Sequence, residues 1–438
     1  MNKPNSQAQQ SARQLLDFID SSPSPWHAVA TIEQQLQQFD FLKLYEQSSW
    51  QLEPSGRYYV VRDDSSIIVF VVGKQTLAET GFKIIGAHTD SPGLRVKPNP
   101  TPTIESIARV GVEVYGGPIL ATFTDRDLSL AGRVSCKIKS HIETIQICFK
   151  QPLLRLPNLA IHMNREVNTK GLKLDRQNEL PLILSTLVQE MPPQPLLNSL
   201  IAEHLDLTAS QIMSWELNAY DTQKGCFWGS NSEFIANSQL DNLASCHAAI
   251  SALLNDQTLA SGNTMVCAFF DHEEIGSETV KGASGSFLTD ILERISFALD
   301  LTPQDAKRSM AHSFFISADM AHAFQPSFPN AYETDHKAIV NGGPVIKINA
   351  NHRYATESVS EAHFIKWCEL ADAPFQKYSH RTDLPCGSTI GPITSAKLGI
   401  RSIDVGNPMW AMHSIRESAG VFDHQAMINV MYQFFNEV

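Results

Sequence analysis

Two histidines, two aspartates and a pair of adjacent glutamates stand where short apolar runs end, and their types suit metal-assisted hydrolysis. His88 opens the polar run 88–93 directly after the apolar run 82–87. Glu273 and Glu274 follow the apolar run 264–270, Asp319 follows 313–318, and His413 lies in the loop after 403–405. Asp241 stands at the head of a small-residue helical segment, 242–254. Imidazole nitrogen and carboxylate oxygen are the usual donors to zinc, and manganese and cobalt accept the same set. One ion would use three or four of these groups. Five candidate donors and a spare glutamate suggest two ions bridged by a carboxylate and a water. The spare glutamate can then serve as general base, taking a proton from that water and giving it to the leaving amine.

Each group also has a plainer reading. A lone histidine at a strand end is more often a capping or core residue. Adjacent glutamates are usually solvated, and Asp241 or Asp319 could simply cap the segment that follows. What favours chemistry is that one explanation covers five groups far apart in the chain.

The elements that must bring them together follow from the apolar rhythm. Residues 6–19 and 26–38 read as helices, and 57–73 as a pair of strands. The run 82–87 is a buried strand whose abrupt polar end is the pattern of an α/β active-site edge. From 94 to 237 the character changes to β-branched segments broken by Gly-Pro turns, at 110–115, 131–138 and 141–149, with a helix signal at 180–189. From 240 onward strands again alternate with helices, which predicts a largely parallel sheet. The fold class expected is α/β. Its catalytic domain spans 1–93 and 238–438, and a strand-rich domain, 94–237, is inserted into it.

Bulk properties narrow the function. The 438 residues carry a formal net charge of −12, which argues against a nucleic-acid partner because phosphate binding calls for a surplus of Lys and Arg. The seven cysteines are odd in number, scattered and never spaced as C-x-x-C, which fits a reducing compartment. The first ten residues lack an apolar signal region, and no stretch approaches a membrane span. The expected address is the cytoplasm.

At the same residues the sequence closely resembles the M18 metallopeptidases, the aspartyl aminopeptidase family. The matching runs include Gly86-Ala-His-Thr-Asp-Ser-Pro-Gly93, Tyr115-Gly-Gly, Asp125-Arg-Asp-Leu-Ser-Leu-Ala-Gly-Arg133 and Ala160-Ile-His162. Further along come Asp271-His-Glu-Glu-Ile-Gly-Ser277, Ser317-Ala-Asp-Met-Ala-His322, Gly343-Pro-Val-Ile-Lys347 and Arg353-Tyr-Ala-Thr356. The last are Cys386-Gly-Ser-Thr-Ile-Gly-Pro392 and Ala411-Met-His-Ser-Ile-Arg-Glu417. They span almost the whole chain, in order. The resemblance implies a zinc-peptidase-type mixed sheet flanked by helices, with the insertion serving dimerisation. It implies two divalent ions, zinc first, with manganese or cobalt as alternatives. His88, Asp241, Glu274, Asp319 and His413 look like the ligands, Asp241 bridging. Glu273 looks like the general base, and Asp90 like the group that orients His88, fixing its tautomer and raising its basicity.

For substrate, the resemblance points to Lys347 as the cation for an acidic first side chain, to Tyr354 as a neighbouring hydrogen-bond donor, and to Met412 as pocket lining. It also implies that His162 reaches into the site of an adjacent subunit. The assembly it implies is a tetrahedral dodecamer built from dimers around a chamber that admits short peptides. Thr124 and Gln325 depart from the residues relatives usually carry there, and the run 118–123 diverges; all lie outside the ligands.

The expected activity is therefore release of N-terminal residues, Asp and Glu before others, from peptides with a free N-terminus. A two-metal deacylase of N-acyl amino acids would use the same machinery. Lys347 alone does not separate the two, since it could receive a side-chain or a main-chain carboxylate; the family motifs decide for the aminopeptidase. A scaffold with a decayed site would have lost a ligand or the base, and none is lost.

Overall fold

A computed structural model describes residues 3–99, 103–186 and 196–437. The chain forms two compact units. One comprises Met1–Asp90, Gly225–Met412 and Glu417–Val438; the other comprises Ser91–Lys224 and His413–Arg416.

The first unit is built on a nine-stranded mixed sheet. Its centre is four parallel neighbours in the order Thr264–Phe270, Phe82–His88, Phe314–Ala318 and Arg401–Gly406. Ser66–Val71 joins one side antiparallel, and Val345–Ile348 joins the other antiparallel. The apolar runs are continuous because helices cover both faces. Ile85, Ala87, Met265, Cys267 and Phe269 pack toward one cluster, with residues of Ser6–Asp20, Pro25–Gln37 and Val421–Asn436. Their alternating neighbours Ile84, Val266, Ala268 and Phe270 face the other cluster, against Phe287–Ala298. Side chains two apart share a face of the sheet, so this single alternation builds two cores.

Register then does the positioning. Phe270 pairs with His88, and Ser317 pairs with Gly86. The polar residues that end these strands therefore emerge at one edge of the sheet. A smaller five-stranded sheet in this unit contains Cys226–Trp228 and Phe234–Asn237, the latter paired with Glu417–Gly420. That pairing is why the chain rejoins the first unit at Gly225, ahead of the expected 238.

The second unit carries an antiparallel five-stranded sheet and a three-stranded one. Leu128–Ile138 lies between His141–Cys148 and Ile212–Asp221. Its core includes Leu94, Val110, Leu130, Val134 and Leu217. The helix expected at 180–189 is instead a strand over Leu182–Thr186, paired with Ile107–Val110; residues 187–189 lie outside the described residues. The apolar spacing there admits either reading, and a sheet edge needing a partner decides it. Among the described residues, no helix is long and apolar enough to cross a membrane.

Candidate active site

His88 ends the central strand of the first unit with only 1% of its surface exposed. Its Nδ1 lies 3.0 Å from the Asp90 main-chain carbonyl, so Nδ1–H donates there and Nε2 is the nitrogen turned toward the other acidic groups. Nε2 faces two carboxylates, Asp241 Oδ1 at 3.4 Å and Asp319 Oδ1 at 3.6 Å.

Asp90 does more than set its carboxylate beside the imidazole. Its carboxylate is 3.5 Å from His88 Nδ1, farther than its own carbonyl. Its two oxygens accept the backbone N–H groups of Glu273 and Glu274, each at 3.1 Å. One buried aspartate thus orients the histidine through its backbone and the glutamate turn through its side chain.

The glutamates lie on a short 3₁₀ turn, Glu273–Ile275, entered through His272 in the left-handed region. Glu273 groups with His88 and Asp319, and Glu274 groups with His88 and Asp241; within each group the candidate ligand atoms lie within 4.8 Å of one another. Asp241 sits at the head of Leu240–Leu253, with its N–H donating to Glu417 Oε2 at 3.0 Å. The following residue, Asn242, donates from Nδ2 to the Ala318 carbonyl at 2.8 Å, tying this helix to the strand end that precedes Asp319. Gly406 keeps that strand end in place: a β-carbon there would stand 1.7 Å from the Asp319 carbonyl oxygen.

Of the expected substrate residues, Lys347 is 2% exposed, donates from Nζ to the Met320 carbonyl at 2.8 Å, and stands 3.5 Å from Asp319 Oδ2. Its ammonium is 5.4 Å from the Tyr354 ring centre. Tyr354 is buried, and Met412 packs against the large core of the first unit. His413 and His162 belong to the other unit. His413 Nδ1 lies 3.1 Å from the Gly117 carbonyl, and neither group of candidate ligands around His88 includes it; His162 is on an exposed turn.

Charge in this cluster is unbalanced. Asp90, Asp241, Glu273, Glu274 and Asp319 gather around His88, and Asp319 also meets the Lys347 ammonium. Burial, together with the neighbouring carboxylates and despite His88, pushes Glu273 up to about 8, and the same causes push Glu274 well above the usual carboxylate range. Burial opposes a charge on His88, yet Asp241, Asp319 and Asp90 outweigh it and hold the imidazole well above its ordinary value. Such a set is costly unless cations offset it.

The geometry fits a cation as well. Donors placed tetrahedrally at about 2.0–2.2 Å from zinc are about 3.3–3.6 Å apart. The separations of 3.4 and 3.6 Å at His88 Nε2 match this, and they are too long for good hydrogen bonds. Nitrogen and carboxylate donors suit zinc, manganese and cobalt alike.

Sequence reasoning passed over three residues that shape this site. Glu417 anchors the Asp241 N–H. The Cys246 thiol donates to the His88 carbonyl at 3.1 Å. Asp404, fully buried on the strand beside Asp319, accepts the Ala355 N–H at 2.5 Å and so anchors the loop bearing Tyr354. Glu417 alone lay within a recognisable motif.

A family model described as "Aminopeptidase I zinc metalloprotease (M18)" matches residues 18–435. The chain is 44% identical over 426 residues to a probable M18 family aminopeptidase 2 of Stutzerimonas stutzeri, covering 96% of this chain and 97% of that protein. A protein of the same description from Pseudomonas aeruginosa is 44% identical over 428 residues, with the same coverage. Among solved structures, a chain of the Ape4 and Nbr1 complex superposes with a TM-score of 0.94 at 37% identity, over 100% of this chain and 88% of that one. The mApe1 dodecamer of S. cerevisiae gives 0.84 at 28%, over 97% and 96%.

Proposed function

Because the chain belongs to the M18 family of aminopeptidase I zinc metalloproteases, we propose that it releases single residues, Asp and Glu before others, from peptides with a free N-terminus. The observation that carries this reading is the strand-end cluster in which His88 Nε2 faces Asp241 and Asp319 at metal-ligand separations, with Glu273 beside them.

Two divalent ions, zinc first, would be held by His88, Asp241, Glu274, Asp319 and His413, and would supply a water of lowered pKa and an electrophile for the scissile carbonyl. Glu273 takes a proton from the attacking water and delivers it to the leaving amine. Asp90 holds the two glutamates by their N–H groups, so the base stays aimed while its neighbour ligates. Lys347 receives the acidic side chain of the first residue: a buried ammonium has three donors, and one is committed to the Met320 carbonyl.

The family match favours this reading over a deacylase, which would use the same metal machinery. A panel of aminoacyl substrates with free or acetylated amines tests it. Cleavage of free Asp and Glu substrates, with acetylated ones inert, is expected; cleavage of the acetylated set would establish the deacylase.

Lys347→Met is expected to lower kcat/KM on Asp and Glu substrates by about 30-fold or more, and on neutral ones by only a few-fold, because the loss is that of one partner in a buried charge pair. Equal losses on both classes would make Lys347 a support for Asp319 instead.

The assembly proposed is a homo-oligomer, a tetrahedral dodecamer of dimers joined through the inserted unit and acting on short peptides in the cytoplasm. The dodecamer of yeast mApe1 supports it. So does the position of His162 on an exposed turn among exposed Leu159, Ile161 and Met163, a surface apolar enough to seek a partner.

A further inference from the structure

We propose that Lys281 is a positioning residue for Glu273, acting through Asp271 beneath the glutamate turn. The inference rests on the reading of Glu273 as the base.

The turn has an unusual support. Each of its backbone N–H groups, from 271 to 274, is held by a side-chain oxygen and not by a strand neighbour. Asp271 N–H donates to Ser66 Oγ at 2.9 Å, and His272 N–H donates to Asp271 Oδ1 at 2.8 Å. The N–H groups of Glu273 and Glu274 donate to Asp90. The direction of Glu273 is therefore set by the side chains of Ser66, Asp271 and Asp90.

Asp271 is fully buried, and a carboxylate so placed needs a charged partner. That partner is Lys281, itself 4% exposed, whose Nζ stands 3.1 Å from Asp271 Oδ2. The arrangement closes on itself, since Ser66 Oγ also donates to the Lys281 carbonyl at 2.9 Å. Ser66, Asp271 and Lys281 thus form a ring that fixes where the strand ends and the turn begins. Asp63 gives the ammonium a second, half-exposed partner at 3.2 Å. His272 is braced from the same loop, with Nδ1 2.9 Å from Thr279 Oγ1.

A base displaced by about 1 Å can lose about 100-fold in rate while substrate still binds. Lys281→Met, in the full-length metal-loaded enzyme, should lower kcat by about 10–100-fold and leave KM and metal content within about twofold. Amide hydrogen exchange over residues 272–276 should quicken in the same variant. Asp271→Asn keeps the acceptor for the His272 N–H and loses the charged anchor, so it should show the same pattern more weakly; it carries the test if Lys281→Met does not fold. A kcat within about twofold of the unmodified enzyme in the folded variants overturns the proposal. So does a rate loss that tracks metal loss, which would make the pair a prop for the metal cluster. If the unmodified enzyme cleaves none of the aminoacyl panel, the functional reading fails, and the exchange data alone decide whether Lys281 holds the turn.

Discussion

Replacing Glu273 by glutamine is expected to lower kcat about a thousandfold, within the roughly 10²–10⁴-fold range of a lost proton-transfer group, with metal content and KM almost unchanged. Glutamine keeps the length of the side chain, and its backbone N–H still reaches Asp90 Oδ1, so the turn should stand. What it loses is the ability to accept a proton. The proposed ligands remain, because Glu273 is not among them. Steady-state kinetics with metal analysis of the same sample checks this. Activity within tenfold of the unmodified enzyme would remove Glu273 from the role of base, and loss of metal would make it a ligand.

Chelation is expected to abolish hydrolysis and also to give the protein a stability that falls as pH rises. The sign follows from proton binding. Glu273, raised from its ordinary 4.5 to about 8, holds a proton in the folded chain over a range where the unfolded chain has released it. Glu274 is raised in the same sense. His88, also raised, binds a proton in the fold above its ordinary 6.5. All three make the folded state bind more protons than the unfolded state, so stability drops with rising pH, from about 4.5 through 8 for Glu273. Divalent ions need the proposed ligands Glu274 and His88 deprotonated, and their charge also favours the Glu273 carboxylate, so they should cancel the trend. Thermal unfolding of chelated and zinc-loaded protein at pH 5 and pH 8.5 measures it. The chelated form should unfold at a lower temperature at pH 8.5 than at pH 5, and zinc should raise the pH 8.5 value most. A chelated protein that is more stable at pH 8.5 would contradict the account of the cluster.

Much of this site could be read from sequence because its supports are regular. The runs 82–87 and 264–270 are apolar throughout since both faces of the central sheet are covered, and the polar residue that ends each run marks the active edge. The family motifs supplied roles that residue types alone left open, such as which glutamate is the base. Local pattern failed where distant partners decide. At 180–189 the apolar spacing suits a helix, yet pairing with Ile107–Val110 makes a strand. Cys226–Trp228 and Phe234–Asn237 look like part of the insertion, but join Glu417–Gly420, far along the chain. Lys281 is an ordinary lysine in sequence, and only the fold shows it buried against Asp271. Asp90 was noticed for its neighbour His88, while its grip on the glutamate N–H groups depends on register between two strands.

Anomalous scattering at the zinc edge from crystals of the zinc-loaded enzyme tests the central claim most directly. The account predicts two peaks at the carboxyl edge of the central sheet, both bonded to Asp241, one also to His88 and Asp319, the other to Glu274 and His413. A single peak, or peaks bonded to other residues, would contradict it.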